Sequence, residues 1–208
     1  MKALIFDVDG TLWDSTGVVA EAWNAAIEDY TDWTLRVDAP LLKTQFGKPM
    51  AEIAKVVFAD ANDEERDFIA EKCMANQNPY LLKARPELYP GVNDTIKELA
   101  KKYKLFIVSN CHSGYIEALL EISGLGEYIE DFTCPPYTGV YKADNIRIIM
   151  ERNNISEAFY VGDTKGDFDA CVEAKVPFVF CRYGFGQVPE DRCAYIIDSF
   201  SELNTIDF

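Results

Sequence analysis

The chain has 208 residues, 49% of them hydrophobic, enough for one globular core with a smaller insertion. Its formal net charge of -15 argues against nucleic acid or an anionic membrane as partner, because phosphate surfaces select basic protein faces. A small anionic substrate fits that charge only where a metal, a lysine or helix N-termini supply positive potential locally.

The opening MKALIFDVDG has too short an apolar run for a signal peptide, and no later stretch approaches a membrane span. Residues 3–8 (ALIFDV) read as the first strand. From about 17 to 88 no good strand follows. Trp23, Ile27 and Tyr30 recur at helical spacing, as do Ile53, Val56 and Val57, and Asn62 with Glu65 forms a capping-box pattern. A helical insertion is expected there, closed by the Pro90-Gly91 turn of LYPGV.

Strand and helix then alternate. Residues 104–108 (KLFIV) end in SNCHSG, and Ile116, Leu119 and Leu120 repeat at helical spacing. GVYKADN at 139–145 opens a helix carrying Ile146, Ile149 and Met150. Residues 158–161 (AFYV) end in GDTKGD, followed by Phe168, Cys171 and Val172 on a helical repeat. Apolar runs at 176–181 and 194–197 complete the set. This pattern predicts an α/β fold, a Rossmann-like, doubly wound parallel sheet that binds ligands beyond the carboxyl ends of its strands. Residues 1–16 and 88–208 are expected to form the core, and 17–87 a helical cap.

Six scattered cysteines (Cys73, Cys111, Cys134, Cys171, Cys181 and Cys193) include no C-x-x-C pair, and the chain has one histidine. They are expected to be reduced thiols of a cytoplasmic protein, with no structural zinc. Oligomeric state is not legible.

Four polar clusters fall at strand ends or a helix start. In DVDGT, Asp7 and Asp9 lie on one side of the strand end. Two like charges about 4 Å apart cost roughly 4 kcal/mol at an effective dielectric of 20, which a divalent cation offsets more simply than a turn and a cap do. In VGDTKGD, Thr164 and Asp167 fit a helix cap, whereas Asp163 on the strand side has no such local duty. Converging carboxylates of this kind suit Mg2+. Ser109 and Asn110 lead from a strand toward a helix, where free N–H groups attract anions, although Ser109 could also cap that helix. His112 in the same loop reads as a surface or substrate contact. Lys142 at a helix start opposes the helix dipole unless it faces an anion; taken alone it reads as a solvated surface residue.

Together these motifs resemble the haloacid-dehalogenase-like superfamily of phosphohydrolases over essentially the whole chain. They stand in family order as Asp7-Val-Asp9-Gly10-Thr11, Ser109-Asn110, Lys142, and Gly162-Asp163 with Asp167 four residues on. DGTLWDS and LYPGV are similar to the helical-cap branch that includes phosphoglycolate phosphatase and β-phosphoglucomutase. Many relatives follow the motif lysine with proline, and this chain has Ala143.

The resemblance implies that Asp7 attacks phosphorus and forms an aspartyl-phosphate, while Asp9 protonates the leaving alcohol and then activates water. It implies Mg2+ held by Asp7, the backbone carbonyl of Asp9 and Asp163, with Asp167 orienting the metal's surroundings or Lys142. Ser109, Asn110 and Lys142 are implied to hold phosphoryl oxygens. In the cap, the Phe46–Pro49 loop is the part expected to reach the site, with Gly47 and Lys48 as substrate contacts. The implied substrate is a small phosphorylated metabolite. A phosphosugar mutase or inorganic pyrophosphatase uses the same scaffold; a dehalogenase lacks the second aspartate. A phospho-acceptor signalling domain lacks both the helical insertion and Asp9's partner role.

Overall fold

The computed structural model describes residues 2–208. Strand β1 (Lys2–Phe6) leads through a tight turn into four helices: α1 (Thr16–Tyr30), α2 (Ala39–Lys43), α3 (Met50–Val57) and α4 (Asp63–Ala84). The chain then alternates as α5 (Val92–Leu99), β2 (Lys104–Val108), α6 (Tyr115–Ser123), β3 (Asp131–Thr133), α7 (Pro135–Thr138) and α8 (Lys142–Arg152). It closes with β4 (Glu157–Gly162), α9 (Lys165–Ala174), β5 (Phe178–Cys181) and β6 (Tyr195–Ile197).

All six strands pair in parallel, in the order β3-β2-β1-β4-β5-β6. Their side chains alternate between two hydrophobic layers, as the two-residue period of a strand requires. Leu4, Phe6, Leu105, Ile107, Val161 and Val179 share one layer with Ile96, Ile116 and Phe200. Ala3, Ile5, Phe106, Val108, Tyr160 and Phe178 share the other with Ile146 and Ile149 of α8 and Phe168 of α9. The result is a Rossmann-like α/β sheet covered on both faces.

The helical segment between β1 and α5 is built on the contact of α1 with α4. Val19, Trp23 and Ile27 of α1 are buried in one cluster with Ile69, Cys73 and Leu81 of α4. The capping box expected at Asn62 and Glu65 opens α4, each side chain accepting from the other's backbone N–H. The two strands of chain joining this segment to the sheet run side by side: Trp13 bridges Leu88, and Tyr89 N donates to Leu12 O at 2.9 Å.

Several expectations shift at their edges. β1 stops at Phe6 rather than residue 8, because Leu12 N turns back to Val8 O and Gly10 takes φ +79. β5 starts at Phe178 because Pro177 has no N–H to give the ladder. The edge strand β3 was not expected. Three residues beginning with an aspartate carry no apolar signature, and pairing with β2 creates the strand. Val56 and Val172 are 49% and 51% exposed, so the apolar repeat overshoots the buried stripe of α3 and α9. Ser109 does not cap α6, whose N-cap is Gly114. Among the described residues, no helix is long and apolar enough to cross a membrane. All six cysteines are free thiols.

Candidate active site

β2, β1 and β4 are adjacent at the centre of the sheet, and each is followed by a polar residue. Ser109, Asp7 and Asp163 are the first residues beyond their carboxyl ends, where the strand order places a ligand crevice. Two helix starts complete the cluster: Lys142 opens α8, and Asp167 sits in the first turn of α9. Asp7, Lys142, Asp163 and Asp167 are all at most 3% exposed.

Lys142 Nζ donates to Asp7 Oδ1 at 2.9 Å and to Asp167 Oδ1 at 2.5 Å, and lies 5.7 Å from the Tyr160 ring centroid. The solvated-surface reading of Lys142 is therefore corrected. Its ammonium is buried, where it balances two carboxylates, and that charge outweighs the helix dipole. Burial alone would lower the lysine's pKa, but Asp167 and Asp7 reverse this and hold it above its ordinary value.

Asp7, Asp163 and Asp167 bring carboxylate oxygens within 4.8 Å of one another. Three negative charges against the one ammonium leave a formal -2 in a buried site. Two of the carboxyl groups are shifted in keeping with that excess. Burial, with Asp167 adding to it, pushes Asp7 up to about 6 against the pull of Lys142 and Ser109. Burial and then the same two neighbouring carboxylates hold Asp163 well above the usual carboxylate range. A divalent cation brings the cluster to neutrality, and an all-oxygen donor set is what Mg2+ takes. The donor set fits the ion.

The four acidic residues are not equivalent. Both Asp167 oxygens are already engaged: Oδ1 by Lys142, and Oδ2 by Thr164 N at 2.9 Å and Thr164 Oγ1 at 2.7 Å. Asp163 is held by Phe185 N at 2.7 Å and, loosely, by Thr11 Oγ1 at 3.4 Å. Asp9 stands outside the carboxylate triad. Tyr115 OH and Ser15 Oγ donate to its Oδ1 at 2.7 and 2.9 Å, and lie 2.6 Å from each other. Burial, only partly countered by those two hydroxyls, pushes Asp9 up to about 7. A carboxyl poised near neutrality can both give and take a proton.

Residues 4–181, most of the chain, match the family described as haloacid dehalogenase-like hydrolase. This chain belongs to the haloacid dehalogenase-like hydrolases. It is similar to the phosphoglycolate phosphatase of Rhodospirillum rubrum, at 28% identity over 217 residues that take in 97% of this chain and 89% of the relative. In fold it is similar to a haloacid dehalogenase-like hydrolase of Bacteroides fragilis, with a TM-score of 0.84 at 18% identity over 97% of this chain and 98% of that one. A CbbY variant of Rhodobacter sphaeroides, solved with xylulose-(1,5)bisphosphate, superposes with a TM-score of 0.80 at 18% identity over 97% and 95%.

The hydrolase has a cavity of about 220 Å3 beside these residues, bordered by Asp7, Asp9 and Ser109 from the sheet and by Gly47 and Lys48 from the helical segment. Asn110 also borders it, and its Nδ2 donates to Gly47 O at 3.0 Å, latching sheet to helical segment. His112 makes a second such link, its Nε2 lying 2.9 Å from Asn78 Oδ1 of α4. Sequence reading missed Tyr115, Phe185 and Gly184, and gave Ser15 no role of its own. Nothing local marks Tyr115 as polar machinery. The G-x-G at Gly184 and Gly186, just past a strand end, was the available signal for the other two.

Gly184 has no room for a side chain: a Cβ there would lie 2.3 Å from Asp163 Cβ and 2.6 Å from Gly10 O. Gly184→Ala is therefore expected to displace Asp163 and to weaken by roughly tenfold or more whatever hold these carboxylates have on added Mg2+. Isothermal titration would check this, and unchanged affinity would remove Gly184 from the support of the site.

Proposed function

We propose that this hydrolase is a Mg2+-dependent phosphatase that hydrolyses a small phosphomonoester through an aspartyl-phosphate on Asp7. The buried cluster of Asp7, Asp163, Asp167 and Lys142, with its formal -2, carries the reading. The name of the Rhodospirillum rubrum relative supports the substrate class. Asp7, Asp163 and the Asp9 backbone carbonyl would hold the metal, which neutralises charge on the phosphoryl oxygens.

In the first step an Asp7 oxygen attacks phosphorus and the ester P–O bond breaks, while Asp9 gives its proton to the departing alkoxide. In the second, Asp9 takes a proton from water, whose oxygen attacks phosphorus and frees Asp7 and inorganic phosphate. Lys142, Ser109 and Asn110 steady the phosphoryl oxygens, and Asp167 holds Lys142 in place. Residues 17–87 act as the cap that excludes water, with Gly47 and Lys48 at its working edge. The six free thiols favour a reducing cytoplasm as the site of action.

Two measurements test this. The protein should release phosphate from p-nitrophenyl phosphate with Mg2+ and stop when EDTA removes it. Mg2+ should also raise the melting temperature, more at pH 8 than at pH 5.5. The sign follows from Asp7 and Asp163, whose folded pKa values lie above the unfolded ones. Protonation of such groups stabilises the metal-free fold most below about pH 4, and that benefit fades as pH rises through about 6. At pH 5.5 protons compete with the metal for the same oxygens; at pH 8 they do not. A melting temperature indifferent to saturating Mg2+ at pH 8 would overturn the metal assignment.

A further inference from the structure

The cavity beside Asp7 and Asp9 is small for a metabolite site, so a phosphoryl group and one compact leaving group fill it. Apart from the two aspartates, much of its lining is carbon and sulfur: Trp23, Phe46, Met50, Ile53, Met74 and Tyr115. Among the described residues Lys48 is the only lysine or arginine on that lining. It is exposed, and its ammonium donates to Gln45 Oε1 at 3.0 Å. Lys142 is not on the lining: it stands beside Asp7 and Asp167, on the side of the phosphoryl group and not of the leaving group. His112 borders the cavity, but burial pushes its pKa down to about 4, so it carries no charge at pH 7.

The remaining polar groups are neutral. Gln77 Oε1 accepts from Trp23 Nε1 at 3.2 Å, while Asn110 Oδ1 is buried with no hydrogen-bond donor. A carboxylate or second phosphate on the leaving group would meet a largely apolar wall, with a single exposed lysine in compensation. An aromatic or aliphatic body would instead match the wall.

We infer that the substrate of this site is the phosphomonoester of an uncharged alcohol with an aromatic or apolar body, and not of a short anionic acid. This narrows the phosphatase reading and rests on it. It also separates the chain from its relative's named substrate, because phosphoglycolate carries a carboxylate on its leaving group.

Benzyl phosphate and phosphoglycolate are both esters of primary alcohols and differ in that charge. With the Mg2+-loaded protein, kcat/KM should be at least tenfold higher for benzyl phosphate. Equal values or a preference for phosphoglycolate would overturn the inference and leave the phosphatase reading standing. No phosphate from either ester, nor from p-nitrophenyl phosphate, would overturn both. Met74→Arg places a cation on the partly buried wall and should move the ratio toward phosphoglycolate by tenfold or more, with folding checked by circular dichroism. A folded variant with an unmoved ratio would remove this wall from substrate choice.

Discussion

Asp7→Asn is expected to reduce phosphoryl transfer by roughly 10^4-fold or more, equivalent to about 5 kcal/mol of barrier. The amide matches the carboxylate in shape but cannot attack phosphorus, so the loss falls on chemistry rather than on folding. Lys142 keeps its 2.5 Å contact with Asp167 in the variant, and one buried negative charge disappears from a cluster with a formal excess of two. The metal-free variant should therefore melt at or above the temperature of the parent, while its response to Mg2+ shrinks. Steady-state release of phosphate together with melting curves with and without Mg2+ would check both halves. Residual turnover within tenfold of the parent would remove Asp7 from the nucleophile role.

Asp9→Asn should separate the two half-reactions. The p-nitrophenolate leaving group departs without a proton, so the first step survives, but the second loses its base and slows by roughly 10^2–10^4-fold. Rapid mixing with p-nitrophenyl phosphate should then show a burst of p-nitrophenol equal to the enzyme, followed by a slow steady state. Tyr115→Phe acts on the same group from behind, removing the 2.7 Å donor to Asp9 Oδ1 while leaving Ser15 in place. Its effect on kcat/KM, which reports the first step alone, should be roughly tenfold for an alkyl phosphate and much smaller for p-nitrophenyl phosphate, because only the alkyl ester needs the acid in that step. An equal loss of kcat/KM on both esters would remove Tyr115 from support of the acid. Its edge-on contact with Trp13, ring centroids 5.8 Å apart, survives in the phenylalanine variant.

Much of the fold follows from short-range pattern. The strand expected at 104–108 forms as β2, Lys104–Val108, because an apolar run this short, ended by a polar turn, suits a buried strand better than a helix. The capping boxes of α4 and α9 were legible for the same reason, since donor and acceptor sit three residues apart. β3 was not legible, because its strand character resides in its neighbour. The surface half of an apolar repeat, as at Val56 and Val172, likewise depends on which face another element covers.

The site divides along the same line. Asp7, Ser109 and Asp163 could be placed from sequence because each lies at the carboxyl end of an expected strand, and parallel strands deliver those ends to one edge. Local order along the chain determined that much. The burial of Lys142, the grip of Tyr115 on Asp9, the refusal of Gly184 to admit a side chain beside Asp163 and the largely apolar lining of the cavity were decided by tertiary structure. Each joins residues far apart in the chain, where packing and desolvation rather than spacing set the energy.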